Sequence, residues 1–216
     1  LLERVGQTVL TCPTTACFDG LPDAAERVAI GGQLRFFGDG FQASKVVDGR
    51  RYWRVPVMEG EFLVEEDFGA VQAIGGGNFL IAARDADVAL AAAEAAVLAM
   101  RRVPGVILPF PGGIVRSGSK VGSRRYKALM ASTNDAYCPT LRGRPDVHSE
   151  LPAAANAMLE IVVNGLDRGA IERALSAGIR AACIDGVLQI SAGNYGGRLG
   201  KHLFQLHDLL NEAEAA

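Results

Sequence analysis

Two stretches of this chain spell out the same order of elements, and that repetition narrows the fold more than any other feature. In the first, residues 78–83 (NFLIAA) read as an apolar strand, and Asp85 offers an N-cap to a helix reaching about residue 103. Leu90, Ala93, Val97 and Met100 recur at helical spacing and predict its buried face, while Asp87, Glu94 and Arg101, seven apart, predict a solvated stripe. Pro104-Gly105 ends the helix, and residues 106–110 resume as a strand. In the second stretch residues 158–163 form the strand, Asp167 the cap, and Ile171, Leu175, Ile179 and Ala182 the buried face. Asp185-Gly186 then turns the chain into a strand over residues 187–191. Two such units predict the split βαβ, ferredoxin-like arrangement, an antiparallel sheet with both helices on one face. Residues 201–206 are read as a further strand.

The segment between the two units, residues 109–140 (PFPGGIVRSGSKVGSRRYKALMASTNDAYCPT), is too long for a hairpin and too polar for a core. Long irregular segments inside compact domains are functional or disordered, and the Tyr, Pro and Cys here argue for order. It is expected to be a substrate-binding insertion. Upstream, residues 6–11, 28–37 and 50–58 read as extended, with Asp48-Gly49 as a tight turn and residues 61–64 continuing the pattern. This part predicts a separate β-rich lobe.

Composition excludes several classes. With 216 residues, 49% of them hydrophobic, the chain can bury one sizeable core or two small ones. A net charge of −2 does not fit a general nucleic-acid binder, and there is no aromatic RNP pattern on the strands. The four cysteines lack both a disulfide-framework spacing and a second close pair for zinc, which predicts a reducing, cytoplasmic setting. The alanine-rich run at residues 88–100 contains Glu94 and reads as a helix of a globular domain and not a membrane span. The first residue is not Met and no signal-peptide layout follows, so the expectation is a chain beginning inside a longer protein.

Glu160 is the most interesting titratable group. Strand alternation puts it on one face with Met158 and Val162, and a carboxylate among apolar neighbours has a raised pKa suited to acid–base work. From spacing alone the commoner meaning is an edge or lobe-interface strand with Glu160 paired to an arginine. The blocks at residues 75–79, 110–113 and 193–197 let backbone approach a ligand closely, but turns needing positive φ explain each equally well. None is a nucleotide fingerprint. Arg116, Lys120, Arg124, Arg125 and Lys127 form a basic run that meets an acidic ligand or is simply solvated. Cys138 has no histidine nearby in sequence and reads as a small hydrophobe. His202 and His207 fall on opposite faces of the expected strand, and His148 sits in a polar loop, so none is a metal ligand; Trp53 is expected in the core.

Taken in chain order, Val5-Gly6-Gln7, Phe36-Phe37-Gly38-Asp39-Gly40, Val57-Met58-Glu59-Gly60-Glu61-Phe62 and Gly76-Gly77-Asn78-Phe79 resemble the formylmethanofuran–tetrahydromethanopterin formyltransferase family. The resemblance continues through residues 109–115, Ser119-Lys120-Val121-Gly122-Ser123, residues 131–140, residues 160–166, residues 190–197 and Leu206-His207-Asp208-Leu209. It implies an α+β protein of two ferredoxin-like α/β sandwich lobes. Residues 1–58 would be the C-terminal part of an incomplete proximal lobe and residues 59–216 the distal lobe. It also implies a homodimer or homotetramer, alone or with other subunits of a formyltransferase/hydrolase complex. No metal and no prosthetic group are implied, and methanofuran and tetrahydromethanopterin serve as carrier substrates.

The implied reaction moves a formyl group between the amine of methanofuran and N5 of tetrahydromethanopterin, in methanogenesis or in methylotrophic formaldehyde oxidation. By resemblance Glu160 is the catalytic acid–base. The expected carrier-binding residues are Gly112, Gly113, Arg116, Lys120, Ser132, Thr133, Asn134, Asp135, Tyr137 and Asn194, with the basic run meeting the anionic extensions of the carriers. The near-balanced charge fits the methylotroph role. The alternative is a non-catalytic structural subunit of such a complex.

Overall fold

A computed structural model describes residues 1–193 and 202–212. The chain divides into two compact units, Leu1–Gln72 and Ala73–Ala216. In the first, α1 (Leu2–Arg4) runs on into a π turn at Val5–Val9, where an extended segment was expected. Leu2, Val5 and Val9 recur every three or four residues and pack with Ile30, Val55, Phe62 and Val64; the β-branched Thr and Val residues masked that helical period.

The strands of this unit are β1 (Ala16–Cys17), β2 (Glu26–Val28), β3 (Ala43–Val47), β4 (Arg50–Val57), β5 (Gly60–Glu65) and β6 (Phe68–Ala70). The expected strand over residues 28–37 stops at Val28 and gives way to α2 (Gly31–Leu34) and a 3-10 turn at Arg35–Gly38. Asp48 and Gly49 both have positive φ, and they join β3 to β4 as the expected tight turn. The main sheet has the order β1-β5-β4-β3, with only the β1–β5 pair parallel, and β2 pairs with β6. The boundary expected at residues 58/59 falls within the β4–β5 hairpin, whose strands pair from Tyr52↔Glu65 to Val57↔Gly60. The two compact units, by contrast, divide after that hairpin, at Gln72/Ala73. Trp53 is half-buried, with the Arg35 guanidinium 4.7 Å from its ring centre and its indole N–H donated to Glu66.

A buried carboxylate holds this unit's loops. Asp19, its side chain only 1% exposed, accepts from the amides of Leu21 (2.9 Å) and Gly69 (3.0 Å) and from Arg27 (2.7 Å). Burial alone would raise its pKa, but those donors outweigh it and hold the value at about 2, against an ordinary 3.8. A folded pKa below the unfolded one gives stability that is complete above the unfolded value and lost as pH falls through 2. Asp19→Asn is therefore expected to lose about 2 kcal/mol at neutral pH, and the gap from wild type should close below pH 3 in thermal unfolding.

The second unit carries β7 (Ile74–Ala83), α3 (Ala86–Met100), β8 (Val106–Ile107), β9 (Ile114–Val115), β10 (Ser119–Val121), β11 (Ala131–Thr133), β12 (Ala157–Gly165), α4 (Arg168–Ala182), β13 (Val187–Ser191) and α5 (Leu206–Glu212). Its main sheet runs β13-β7-β12-β8, antiparallel throughout. Counting only the strands of the two repeats, the order is fourth-first-third-second, the split βαβ arrangement expected. The first unit has no such arrangement among the described residues. Both aspartate caps form: Asp85 accepts from the Val88 amide at 2.8 Å and Asp167 from the Ala170 amide at 2.7 Å.

Phe79 and Ile81 of β7 and Ile161 and Val163 of β12 point to one face, where α3 and α4 cover them. All four apolar positions expected on α4 are buried. On α3 the buried set is Ala89, Ala92, Ala93, Ala96, Val97 and Met100. Leu90 is instead 45% exposed, because the helix turns its small alanines toward α4 and the sheet. The strand expected over residues 201–206 is not formed at residues 202–205, and α5 begins at Leu206. His202, His207 and His148 are exposed, and no group of His, Cys, Asp or Glu among the described residues could hold a metal.

Candidate active site

Among the described residues the sheet of the second unit has helices on one face only, and the segment after α3 meets the other. Strand alternation points Asn78, Leu80 and Ala82 of β7 and Met158, Glu160 and Val162 of β12 away from the helices. The 109–140 segment begins as part of the sheet: β9 pairs with β12, aligning Val115 with Glu160 and Ile114 with Ile161. It then leaves as the β10–β11 hairpin and two 3-10 turns, Asp135–Tyr137 and Pro139–Leu141. Tyr137, Leu151 and Ala155 pack on Ala82 and Met158, covering one end of the helix-free face. The insertion is thus ordered, and its path brackets Glu160 between Val115 across the sheet and the covered Met158 two residues away.

Glu160 is half-buried on an interior strand, flanked by Leu80 of β7 on one side and Val115 of β9 on the other. The edge-strand reading with an arginine partner is not what forms. Glu160 Oε1 accepts from the side-chain amide of Asn78 at 2.7 Å, and among the described residues Oε2 has no hydrogen bond. A carboxylate held by one oxygen and open at the other can take or give a proton at the open one.

The expected carrier-binding residues divide into two sets. Most are engaged within the segment. Lys120 and Arg124 both pair with Asp135, the latter at 3.5 Å, and Arg124 also meets the Asp146 carbonyl at 3.0 Å. The hydrogen bond from Lys120 is the main cause holding the Asp135 carboxyl below its ordinary range, against the opposing effect of burial. The Ser132 hydroxyl donates to the Gly122 carbonyl at 2.7 Å, and buried Asn134 donates its backbone N–H to the Gly118 carbonyl at 2.7 Å. The Tyr137 hydroxyl donates to Glu150 at 2.5 Å. Gly113 is buried with φ +86°, its amide committed to the Phe110 carbonyl at 2.8 Å, and a Cβ there would lie 2.9 Å from Val97. Its conformation is thus fixed by packing on α3. Gly112, at φ +67°, is exposed with open space around it.

The second set faces solvent. Thr133 is exposed, and Arg116 is exposed without an ion pair among the described residues. Asn194 lies outside the described residues. Burial raises the Cys138 thiol pKa, and its Sγ is 3.2 Å from the Asn134 carbonyl, which fits a small packing group better than a nucleophile. A cavity of about 1210 Å³ beside β13 reaches Asn78 and Val162 but wraps round to Ile179 and Cys183 on the helix side; Glu160 does not line it.

Sequence reasoning named the glycine block, which forms the first part of β7, for its backbone and overlooked the side chain of Asn78. The available signal was one side-chain amide next to an apolar run, Asn78 before residues 79–83.

The fold and site together define an α+β protein whose one helix-free sheet face presents a half-buried carboxylate. Comparison with known proteins is specific. A family model described as "FTR, proximal lobe" matches residues 60–209, and one described as "Formylmethanofuran-tetrahydromethanopterin formyltransferase" matches residues 1–57. The chain is 56% identical over 214 residues to a formylmethanofuran–tetrahydromethanopterin formyltransferase of Methylococcus capsulatus, covering 97% of this chain and 70% of the relative. Identity to the enzyme of that name from Methanosarcina acetivorans is 53% over 210 residues, with the same coverage.

Among solved structures, the Methanosarcina barkeri formyltransferase superposes with a TM-score of 0.86 at 51% identity, covering 97% of this chain and 70% of that one. A formyltransferase/hydrolase complex from Methylorubrum extorquens, solved with methylofuran, gives 0.85 at the same identity and coverage. This chain belongs to the formylmethanofuran–tetrahydromethanopterin formyltransferase family. The description over residues 60–209 reverses the lobe label expected from the sequence: the part read as distal carries the name proximal.

Proposed function

We propose that this chain transfers a formyl group between the amine of methanofuran, or an analogue such as methylofuran, and N5 of tetrahydromethanopterin, with Glu160 moving the protons. The carrying observation is the half-buried Glu160 on the helix-free face, one oxygen held by Asn78 and the other without a hydrogen bond among the described residues, in a chain matched to the family along both of its parts. The attacking nitrogen adds to the formyl carbon, the carbonyl electron pair moves onto oxygen, and Glu160 takes the proton that the attacking nitrogen sheds. The tetrahedral intermediate then collapses, the carbonyl re-forms, and the Glu160 carboxyl returns the proton to the departing nitrogen. Without that proton the leaving group would be an amide anion. Within residues 132–137 the exposed Thr133 hydroxyl is the donor available to the developing oxyanion, since Ser132 and Tyr137 donate their hydroxyls elsewhere. Lys120, Asp135 and Arg124 hold that segment in shape, leaving Arg116 and Thr133 for the carriers.

Direct measurement tests this reading. The complete protein should transfer formyl between purified formylmethanofuran and tetrahydromethanopterin. A correctly folded protein with no transfer in either direction would be the non-catalytic subunit of a formyltransferase/hydrolase complex, the kind of assembly in which the Methylorubrum extorquens relative occurs. Assembly as a homodimer or homotetramer belongs to the same proposal. Because Arg116 meets an anionic carrier extension in this reading, raising salt through about 0.1 M, where the screening length is about 10 Å, should raise the carrier KM several-fold. The thermal midpoint should barely move. Arg116→Ala should flatten that salt dependence; a KM indifferent to ionic strength overturns the assignment.

A further inference from the structure

We infer that Asn78 is a positioning residue for Glu160, holding one carboxyl oxygen so that the other faces the reacting nitrogen; this rests on the reading of Glu160 as the proton carrier. The backbone sets up the contact. Between β7 and β12 the register changes from Val163↔Gly77 to Asn164↔Gly75, so Gly76, at φ +108°, is an extra residue in β7. Such a bulge bends a strand and re-aims its side chains, and the left-handed φ suits glycine. Beyond it the ladder is regular. Asn78 sits opposite Val162, while Glu160 sits opposite Leu80, a diagonal pair on the helix-free face. Longer side chains span that diagonal, and the amide nitrogen reaches Oε1 at 2.7 Å. The residues that follow, Phe79, Leu80, Ile81, Ala82 and Ala83, are all apolar and buried, so Asn78 is the strand's one side chain capable of this bond.

The choice of amide matters chemically. Only the nitrogen of Asn78 can donate, so it must be the atom facing a carboxylate oxygen. An arginine or lysine in its place would favour the ionised carboxylate and resist protonation. An asparagine, being uncharged, donates to a carboxylate and also, less strongly, to the carbonyl oxygen of a carboxylic acid. The bond to Oε1 therefore survives while Oε2 gains and loses a proton, and the carboxyl does not rotate away between the two halves of the reaction. Proton transfer needs this kind of fixed geometry, because small misplacements of the reacting atoms are costly.

The test uses the complete protein with both carriers. Asn78→Ala should lower kcat about 10-fold or more while each carrier KM stays within about two-fold, the pattern of an interaction that matters to the transition state and not to binding. In a Glu160→Gln background the same change should cause no further loss, since nothing remains to be oriented. Asn78→Leu, of similar size, uncharged and without the donor, repeats the test if the alanine variant folds poorly. A kcat within about two-fold of wild type, or an equal loss in both backgrounds, overturns the positioning role. Full activity of Glu160→Gln alone would instead overturn the reading on which it rests, so the two failures are separable.

Discussion

Glu160→Gln is expected to cut formyl transfer by roughly 10²- to 10⁴-fold, the range general acid–base groups contribute, with the thermal midpoint almost unchanged. The substitution keeps size and shape. A glutamine carbonyl oxygen can still accept from Asn78, so the contact that fixes the side chain to β7 survives. What disappears is the ability to carry a proton at the open oxygen. Both halves of the reaction need that proton, one to release it from the attacking nitrogen and one to protonate the departing nitrogen. A loss in kcat with carrier KM values preserved would mark a group acting in the transition state. Retention of more than about a third of wild-type kcat would remove Glu160 from the proton path and shift attention to Asp135 and Tyr137 in the neighbouring segment. Circular dichroism and thermal unfolding on the same sample separate chemistry from misfolding.

How far this site could be read from the chain depends on the distance over which each interaction is local. The caps at Asp85 and Asp167 and the buried stripe on α4 follow from periodicity within one element, and they form as expected. The face of Glu160 was legible for the same reason, since alternation along β12 decides it. Its partner was not, because Asn78 lies 82 positions away and the register that joins them depends on the single extra residue at Gly76. The basic run misled in the same way. Lys120 and Arg124 read as cations for an acidic ligand or for solvent, yet Asp135 arrives across the β10–β11 hairpin and pairs with both. The helical start of the first unit was missed because Thr and Val suggest a strand locally, while packing against Ile30, Val55 and Phe62 selects a helix.

Phe79 stands next to Asn78 on β7, faces the opposite way, and should give the opposite phenotype. Its ring is wholly buried among residues of β12, α3 and α4, where the two repeats meet. Phe79→Ala removes a ring's worth of contacts from a site walled by Ile161, Val163 and Leu175, and should cost about 3–5 kcal/mol. For a unit of this size that corresponds to a fall of roughly 10 °C in the unfolding midpoint of the second unit. Phe79→Leu, which fills most of the space, should lose much less. Well below its midpoint the Phe79→Ala protein should keep near-normal carrier KM values, whereas Asn78→Ala should keep its midpoint and lose kcat. Adjacent residues with crossed effects would show the helix-covered face of the sheet holding the fold and the helix-free face holding the chemistry. A Phe79→Ala midpoint within about 3 °C of wild type would mean that the two repeats do not share this core, and the separation of roles between the faces would fall with it.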